Sequence, residues 1–518
     1  MGGVRLGLIV SGLWLSLFLC ALETTIVSTS LVHISNDLEE FGDSGWIVVA
    51  YLLTYNAFIL IWSKLSDTFG TKWLLLLANA IFCVFSIACA VAQTMLQLIV
   101  FRALQGVGGS GLYSLVFVIL AQIVPMDKLG MCTGILSSCF ALASLLGPIL
   151  GGVISDNTTW RWIFWLNVPG AAVAVLILYI FMESPKSSQE IRRSLKTMDV
   201  LGALLSLAWA IPLIFALQEG GRTYPWNGGV IIGTLVAGIG MLLVFAAWQV
   251  WTYRRGTIDS LLPVGLFKRP KVALVFGSIL LLGFNFYVSI IQIPQRFQFV
   301  NYETATRAGI LLLPATLASP VMSVVAGALA NKHRLSAPAI HLVGACLNMV
   351  GVTLMSTLSV GISVPNAQFG YQVIMGTGFG FVMPSLMYLI KVEVEDRDLA
   401  GAMGVTNMGR TLGGCIGLAI GGSLFRDRLD QDLPKLLDEG QLEALMTNSA
   451  QVVSGLSMAQ RERLSEIFGE AFNLQFRGMI AFAALSVCLA GWMLYLYLRR
   501  TRGGQDVDAA PEAATAES

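Results

Sequence analysis

The chain has 518 residues, of which 56% are hydrophobic and only 12% charged, with a mean hydropathy of +0.74 and a net charge of +1. Soluble domains carry about 25% charged residues, so a water-soluble enzyme is excluded and an all-α integral membrane protein is indicated. A balance this close to neutral offers no electrostatic basis for a nucleic-acid partner.

Crossing roughly 30 Å of hydrocarbon takes about 20 apolar residues. Such runs fall at 6–32, 45–63, 73–94, 96–121, 129–154, 162–182 and 199–217. Seven more lie at 229–251, 272–294, 309–330, 337–360, 366–390, 401–424 and 478–498. Fourteen transmembrane helices are predicted, the seventh, interrupted by Pro212, being the weakest. The first run is too long for a signal peptide and ends in no small-residue cleavage site, so it reads as a span. With a cytoplasmic N-terminus, twenty of the 32 basic residues fall on cytoplasmic segments. Four (Arg161, Arg222, Arg296 and Arg307) fall in short outer loops, six in the long outer loop 425–477, and two (Arg102 and Arg410) inside spans. Basic residues retained on the cytoplasmic side orient a membrane protein, so both termini are predicted to be cytoplasmic.

The eight cysteines all lie inside apolar runs, which predicts no disulfide framework. The three histidines, at 33, 333 and 341, and the absence of a cysteine pair at ligand spacing suggest no metal site and no cofactor. No Gly-x-x-x-x-Gly-Lys-Ser/Thr motif and no long cytoplasmic segment occur, so neither ATP-driven transport nor an enzyme is expected. Asn157-Thr158-Thr159 is a glycosylation sequon close to the bilayer, with Asn157 the candidate acceptor.

An offset of 270 residues pairs Gly106 with Gly376, Gly108 with Gly378, Gly134 with Gly404, and Gly147, Gly151 and Gly152 with Gly417, Gly421 and Gly422. Six glycines in register over two spans predict duplicated, parallel halves in a 6+2+6 arrangement. Residues 1–182 form the first six-helix bundle, 183–271 a two-helix insert with its flanking loops, and 272–498 the second bundle, including the outer loop 425–477. Residues 499–518 read as a disordered cytoplasmic tail. Parallel halves of this kind are the architecture of rocking, alternating-access transporters with a midplane site.

Four features carry the chemistry. Gly147-Pro148-Ile149-Leu150-Gly151-Gly152 puts a bend and a close helix approach in the fifth span. Glu23 in the first span must be protonated, paired or facing water; it suits a proton carrier, or it reaches the outer surface and hydrogen-bonds there. Arg102 cannot lose its proton, so it either biases a nearby carboxylate or pins helices together. The repeat places Ile293 opposite Glu23 and Gln372 opposite Arg102, confining proton chemistry to the first half. Arg410 has no acidic neighbour in sequence, which leaves a carbonyl or an anionic group of a substrate as its partner.

These residues, in this order, resemble the major facilitator superfamily, and within it the fourteen-spanner drug:proton antiporters of fungi and bacteria. Leu22-Glu23-Thr24-Thr25-Ile26-Val27 is similar to the first-span motif, with glutamate for the usual aspartate. Ser63 to Lys72 resembles the motif between spans two and three, keeping Asp67, Gly70 and Lys72 but carrying Thr68 and Thr71 where the family has arginines. Arg102-Ala103-Leu104-Gln105-Gly106-Val107-Gly108-Gly109 resembles the fourth-span motif, and 147–152 the antiporter motif. Residues 160–169 and 294–298 read like the fungal branch.

The resemblance implies a monomeric, multi-pass pump of the plasma membrane that exchanges protons for a small, largely hydrophobic molecule, a fungal secondary metabolite or toxin and also antifungal drugs. It implies proton coupling at Glu23 and Arg102 and gating at Asp67, Gly70, Lys72, Gly147, Pro148, Gly151 and Gly152. It also implies a lining drawn from Asn56, Gln105, Phe284, Asn285, Phe286, Tyr287, Gln292, Tyr371, Gln372, Tyr388 and Arg410. An importer of the same fold, taking a siderophore or a basic solute, and a non-transporting membrane sensor are the other two readings.

Overall fold

Backbone crossing hydrocarbon has to satisfy its own hydrogen bonds, and in the computed structural model each long apolar run is indeed α-helical. The structure describes residues 3–40, 43–123, 126–183, 199–221, 224–255, 264–331, 336–394, 396–438, 440–442, 445, 453 and 455–508. In chain order the helices are α1 (Gly3–Asp37), α2 (Ser44–Phe69), α3 (Thr71–Ala90), α4 (Met95–Ile123), α5 (Met126–Asn157), α6 (Trp162–Trp165), α7 (Asn167–Phe181), α8 (Val200–Glu219) and α9 (Gly229–Arg255). They continue as α10 (Val264–Phe267), α11 (Pro270–Phe299), α12 (Ala305–Leu311), α13 (Leu313–Asn331), α14 (Ala337–Met355), α15 (Ala367–Glu393), α16 (Asp396–Asp432) and α17 (Met458–Asp508). Among the described residues eleven helices are long and apolar enough to cross a membrane, and Ser44–Ile59 of α2 is a shorter apolar helix. α5 and α16, of 32 and 37 residues, are also long enough to cross; the middle of α16 is low in charge but rich in glycine, which adds little apolar surface.

Packing partners recur along the chain. α1 lies on α5 and α7, α4 on α2 and α3, and α7 on α3. Likewise α11 lies on α16 and α17, α15 on α13 and α14, and α17 on α14. Polar contacts repeat too: Ser16 Oγ donates to Asn79 Oδ1 at 3.3 Å, and 269 residues further on Asn285 Nδ2 donates to Asn348 Oδ1 at 3.1 Å. The two sets of helices meet along α2 with α16, α5 with α12 and α13, and α1 with α11. α8 and α9 pack on each other, clamped by Asp199, whose carboxylate accepts from Gly202 N, Trp248 Nε1 and Gln249 Nε2, each at 2.7 Å. α8 covers the α2–α16 seam, where Trp46 Nε1 donates to Glu219 Oε1 at 2.6 Å and Arg426 Nη2 to Gln218 O at 2.9 Å.

The end of the bundle at which α1 closes is termed the distal end below. There the structure departs from the expected loop at 425–477. α16 runs on to Asp432 and α17 begins at Met458, because Leu429, Leu433, Leu437, Leu464, Ile467, Phe468 and Phe472 form an apolar cluster of their own with Phe299 and Val300. A helix of 51 residues is about 75 Å long, far more than a bilayer needs. At its other end α17 continues to Asp508, past the point where the tail was expected to lose structure, because extending a formed helix costs less than starting one. Residues 509–518 lie outside the described residues.

Close approach sets which glycines matter. A Cβ on Gly106 would lie 2.4 Å from Tyr51 O, and one on its repeat counterpart Gly376 2.5 Å from Ala315 O. A Cβ on Gly151 would lie 2.1 Å from Ile26 O, whereas one on its counterpart Gly421 would meet nothing within 4 Å. Gly151→Ala is therefore expected to destabilise the detergent-solubilised protein by about 1–3 kcal/mol through overpacking. Gly421→Ala should leave stability unchanged or raise it by up to about 1 kcal/mol from helix propensity. Thermal melts of the two variants check the contrast; equal effects would show that α5 is not specially packed.

Candidate functional site

Glu23 on α1 and Arg102 on α4 are 0% and 1% exposed and face each other as an ion pair between Nη1 and Oε1. Neither reaches water, so every polar atom of the pair needs a partner inside the protein. Arg102 Nη1 also donates to Gln105 Oε1 at 2.6 Å and Nε to Ile47 O at 3.1 Å. The guanidinium lies 4.3 Å from the Tyr51 ring centre and 5.7 Å from that of Phe164. Asn167 Nδ2 donates to Glu23 Oε2 at 2.5 Å, and Ser86 Oγ accepts from Gln105 Nε2 at 2.7 Å and from Asn167 Nδ2 at 3.3 Å. One pair thus joins α1, α2, α3, α4, α6 and α7. Because the arginine cannot give up a proton, the carboxylate of Glu23 is the one charge in this network that answers it, and Gln105, Ile47 O and the two rings supply its remaining contacts.

The hexapeptide is where three segments meet. A Cβ on Gly147 would lie 2.1 Å from Thr25 Oγ1, one on Gly152 2.4 Å from Ala305 O, and one on Gly309 2.4 Å from Pro148 O. Hydroxyls of α1 line this contact: Thr25 Oγ1 donates to Ala143 O at 2.9 Å, Thr29 Oγ1 to Pro148 O and Ser30 Oγ to Gly151 O, both at 3.1 Å. Pro148 has no N–H to offer the carbonyl of Ser144 one turn back, and Ser144 lines the cleft described below.

Past that junction Asp156 reaches across to cap α12. Its carboxylate accepts from Thr306 N at 2.6 Å and Ala305 N at 3.2 Å, with His33 Nε2 at 3.0 Å. Asp156 lies two residues beyond the apolar run 129–154. Burial alone pushes its carboxyl up, but hydrogen bonds from Thr306 and His33 outweigh this and hold it below the ordinary carboxylate range. A lowered carboxyl stabilises this closed contact at every pH above the ordinary value of about 3.9, and the contribution is lost only as pH falls through the lowered value. Mild acidification leaves the latch shut.

Between α5 and the helices α11, α13 and α15 lies a small cleft lined by Ser144, Phe286, Ser289, Ile293, Thr316 and Met375 among others. Its wall is apolar with small hydroxyls, and Ile293 stands in it. Of the expected lining residues Phe286 is here. Asn56 Oδ1 accepts from Thr411 Oγ1 at 3.1 Å across the α2–α16 seam. Asn285 pairs with Asn348 away from the seam, and Phe284 stacks on Phe482 at 4.2 Å, so both pack helices together. Gln105 belongs to the charged network. Gln292 and Tyr371 are half-buried on α11 and α15. Gln372 is buried with neither end of its amide hydrogen-bonded. Tyr388 corrects the expectation: at 44% exposed it stands on the outside of α15, because the stripe of α15 facing the other helices runs through Ser385, Leu386 and Leu389. Arg410 finds a side-chain carbonyl, Asn407 Oδ1, at 2.8 Å, with the Tyr287 ring centre 5.5 Å away.

At the opposite end Gly70 makes the α2–α3 turn at φ 84°, a backbone that favours glycine. Lys72 Nζ donates to Tyr179 O at 2.9 Å and to Met182 O, closing the end of α7 in its own helix set. The Asp67 side chain lies outside the described residues. Asn157 is exposed, its amide donating to Val153 O at 2.9 Å. Sequence reasoning missed Asn167, Ser86, Asp156 and Gly309. Asn167 alone carried a signal, an amide inside the apolar run 162–182.

Removing one member of a buried pair leaves the other charge stranded. Arg102→Leu is expected to cost about 3–5 kcal/mol of stability, and the double change Arg102→Leu with Glu23→Leu distinctly less. Melting of the two purified variants decides it; a double variant no better than the single one would show that the pair is not coupled.

The Major Facilitator Superfamily model matches residues 13–418. The MFS-type transporter FPY5 of Fusarium mangiferae is 40% identical over 522 residues, covering 99% of this chain and 86% of that protein. The MFS thioclapurine efflux transporter tcpA of Claviceps purpurea (strain 20.1) is 32% identical over 441 residues, covering 84% and 80%. Among solved structures, a bacterial homologue of the human lysosomal transporter Spinster, inward-facing and unoccupied, superposes with a TM-score of 0.68 at 14% identity, covering 96% of this chain and 98% of that one. With its helices, its glycine-packed junction and its buried ion pair in place, the chain belongs to the Major Facilitator Superfamily, as a multi-pass membrane transporter.

Proposed function

We propose that this transporter is a proton-coupled efflux pump of the fourteen-spanner drug:proton antiporter type, exporting a small, largely hydrophobic fungal secondary metabolite or toxin. The buried Glu23–Arg102 pair carries the reading, since it makes one carboxylate's protonation inseparable from the packing of α1 against α4. In this reading there are fourteen spans arranged 6+2+6, residues 1–182 and 272–498 forming the two bundles, 183–271 the insert and 499–518 the tail. Both termini are cytoplasmic and the pump works as a monomer in the plasma membrane. The recurring packing order and the similarity to the thioclapurine efflux transporter of Claviceps purpurea favour it.

Glu23 takes a proton from outside when the cavity faces out and returns it inside before cargo loads. The drive is sufficient: roughly 2.3 kcal/mol per charge at 100 mV plus about 1.4 per pH unit sustains roughly a 500-fold gradient per proton. Gly147, Pro148, Gly151 and Gly152, together with Asp156, form the outer gate, and Asp67, Gly70 and Lys72 belong to the inner one. Cargo lies against Phe286, Ser289 and Thr316, apolar and weakly polar groups suited to bulky molecules.

In pump-deficient yeast matched for surface expression, cells carrying Glu23→Gln should retain cargo at least tenfold more than wild type. Export against a gradient with its pH dependence intact in that variant would overturn the proton role. Asp156→Ala loses two hydrogen bonds to backbone amides, a cost of about 1–3 kcal/mol, and should open the outer gate. A cysteine placed at Ser289 is then expected to react several-fold faster with an impermeant thiol reagent added outside. Unchanged labelling would remove Asp156 from the gate.

A further inference from the structure

Arg102, Arg296 and Arg410 lie buried or half-buried among the helices, and they differ in what answers their charge. Arg102 has Glu23. Arg296, 1% exposed near the distal end of α11, donates through Nη2 to Ser359 O at 3.1 Å and is sealed from any ligand. Arg410 is half-buried, keeping accessible surface, and its neighbours include no carboxylate among the described residues. Its Nη2 is held by Asn407 Oδ1 at 2.8 Å, while its Nε is buried without a hydrogen-bond partner. The ionisable groups around it include the hydroxyls of Tyr55, Tyr113 and Tyr287, the last in hydrogen-bond contact with the guanidinium, and the thiol of Cys20.

This arrangement is built rather than incidental. Asn407 Nδ2 donates to Tyr55 Oη at 3.2 Å across the α2–α16 seam, which turns the amide oxygen toward Arg410. Tyr287 lies beside the guanidinium from α11. From the other helix set an aromatic run approaches, with ring centres 5.8 Å apart for Tyr51–Tyr55, 6.4 Å for Tyr55–Tyr113 and 6.1 Å for Tyr113–Phe140. The site therefore sits where the two helix sets meet, next to Phe286 of the cleft.

A guanidinium stays charged at any physiological pH, and an uncompensated charge at membrane depth is costly. A planar fork with a free N–H is matched by an oxyanion that can accept two bonds, and aromatic walls favour a flat, conjugated body. We propose that Arg410 is the anion-recognition residue of the cargo site, and that the cargo is a bulky conjugated molecule bearing one acidic group, a carboxylate, enolate or acidic phenol, ionised in the cytoplasm. The inference rests on the export reading above. It makes transport doubly electrogenic, because an anion leaving as a proton enters moves two charges per cycle in place of one.

The test uses the purified full chain in nanodiscs and in proteoliposomes, with three aromatic probes of differing charge: fluorescein (anionic), Nile red (neutral) and rhodamine 6G (cationic). Wild type is expected to bind fluorescein at least tenfold tighter than rhodamine 6G. Arg410→Gln should lose at least tenfold in fluorescein affinity while Nile red stays within twofold, and Arg410→Lys, which keeps the charge, should retain part of the preference. Equal losses for all three probes in Arg410→Gln would mark a structural role and overturn the inference, as would wild-type transport of rhodamine 6G with no preference for fluorescein, which leaves the export reading standing. Wild type that binds fluorescein with the charge preference yet moves none of the probes would support the charge assignment and count against export. Wild type that neither binds nor moves any probe overturns both.

Discussion

A carboxylate and a guanidinium pressed together out of reach of water constrain everything around them. Glu23 and Arg102 sit at a depth where either charge alone would be expensive, so the surrounding helices must supply every remaining hydrogen bond. Asn167, Ser86, Gln105 and the carbonyl of Ile47 do so from α7, α3, α4 and α2. A set of helices that agrees on one charged pair has little freedom to shear. Among the described residues the second helix set shows no fully buried ion pair of this kind, so the chemistry of the fold is lopsided although its packing order repeats.

Movement between the blocks has to occur along their seams, and these are made differently at different depths. At the distal end backbone meets backbone: Gly152 lies under Ala305, Gly309 under Pro148, and Asp156 caps the helix that carries them. Such contacts need no side chain to desolvate and can form or part as a unit. Nearer the centre the seam is polar and sparse, with Asn56 on Thr411 and Tyr55 on Asn407. Back at the distal end, Gln298 Nε2 adds a bond to Thr29 O, 269 residues away. A tight backbone clasp at one end and weak polar contacts at the middle suit rocking about the centre.

Arg410 stands on the weak part of the seam. Its position couples two demands: the charge must be answered, and the answer must be removable when the halves separate. The side-chain amide of Asn407, itself held by Tyr55 from the other block, meets the first demand only in part. A fixed carboxylate would have met it fully and closed the site to an anion.

Much of this was legible in one dimension. The helices follow from unbroken apolar runs, since backbone in hydrocarbon has no alternative to internal hydrogen bonding; six glycines in register pointed to a repeat, and the packing order of the helices recurs; and Glu23, Arg102 and the hexapeptide announce themselves as residues that an apolar helix would otherwise avoid. The sequence could not tell which partner each took. Glu23 met Arg102, 79 residues away, and Asn167, 144 residues away, whereas Gln105, expected at the cargo site, joined the ion pair instead. Asp156, which no motif singled out, caps a helix 150 residues on. Tyr388 had the right chemistry for a lining but points outward, because hydropathy does not say which face of an all-apolar helix looks at protein and which at lipid. The sequence alone determined that this chain lives in a membrane as apolar helices carrying a few charges that must be answered; only the tertiary structure decided who faces whom, because inside a bilayer partner choice is set by close packing and hydrogen bonding between helices distant in sequence.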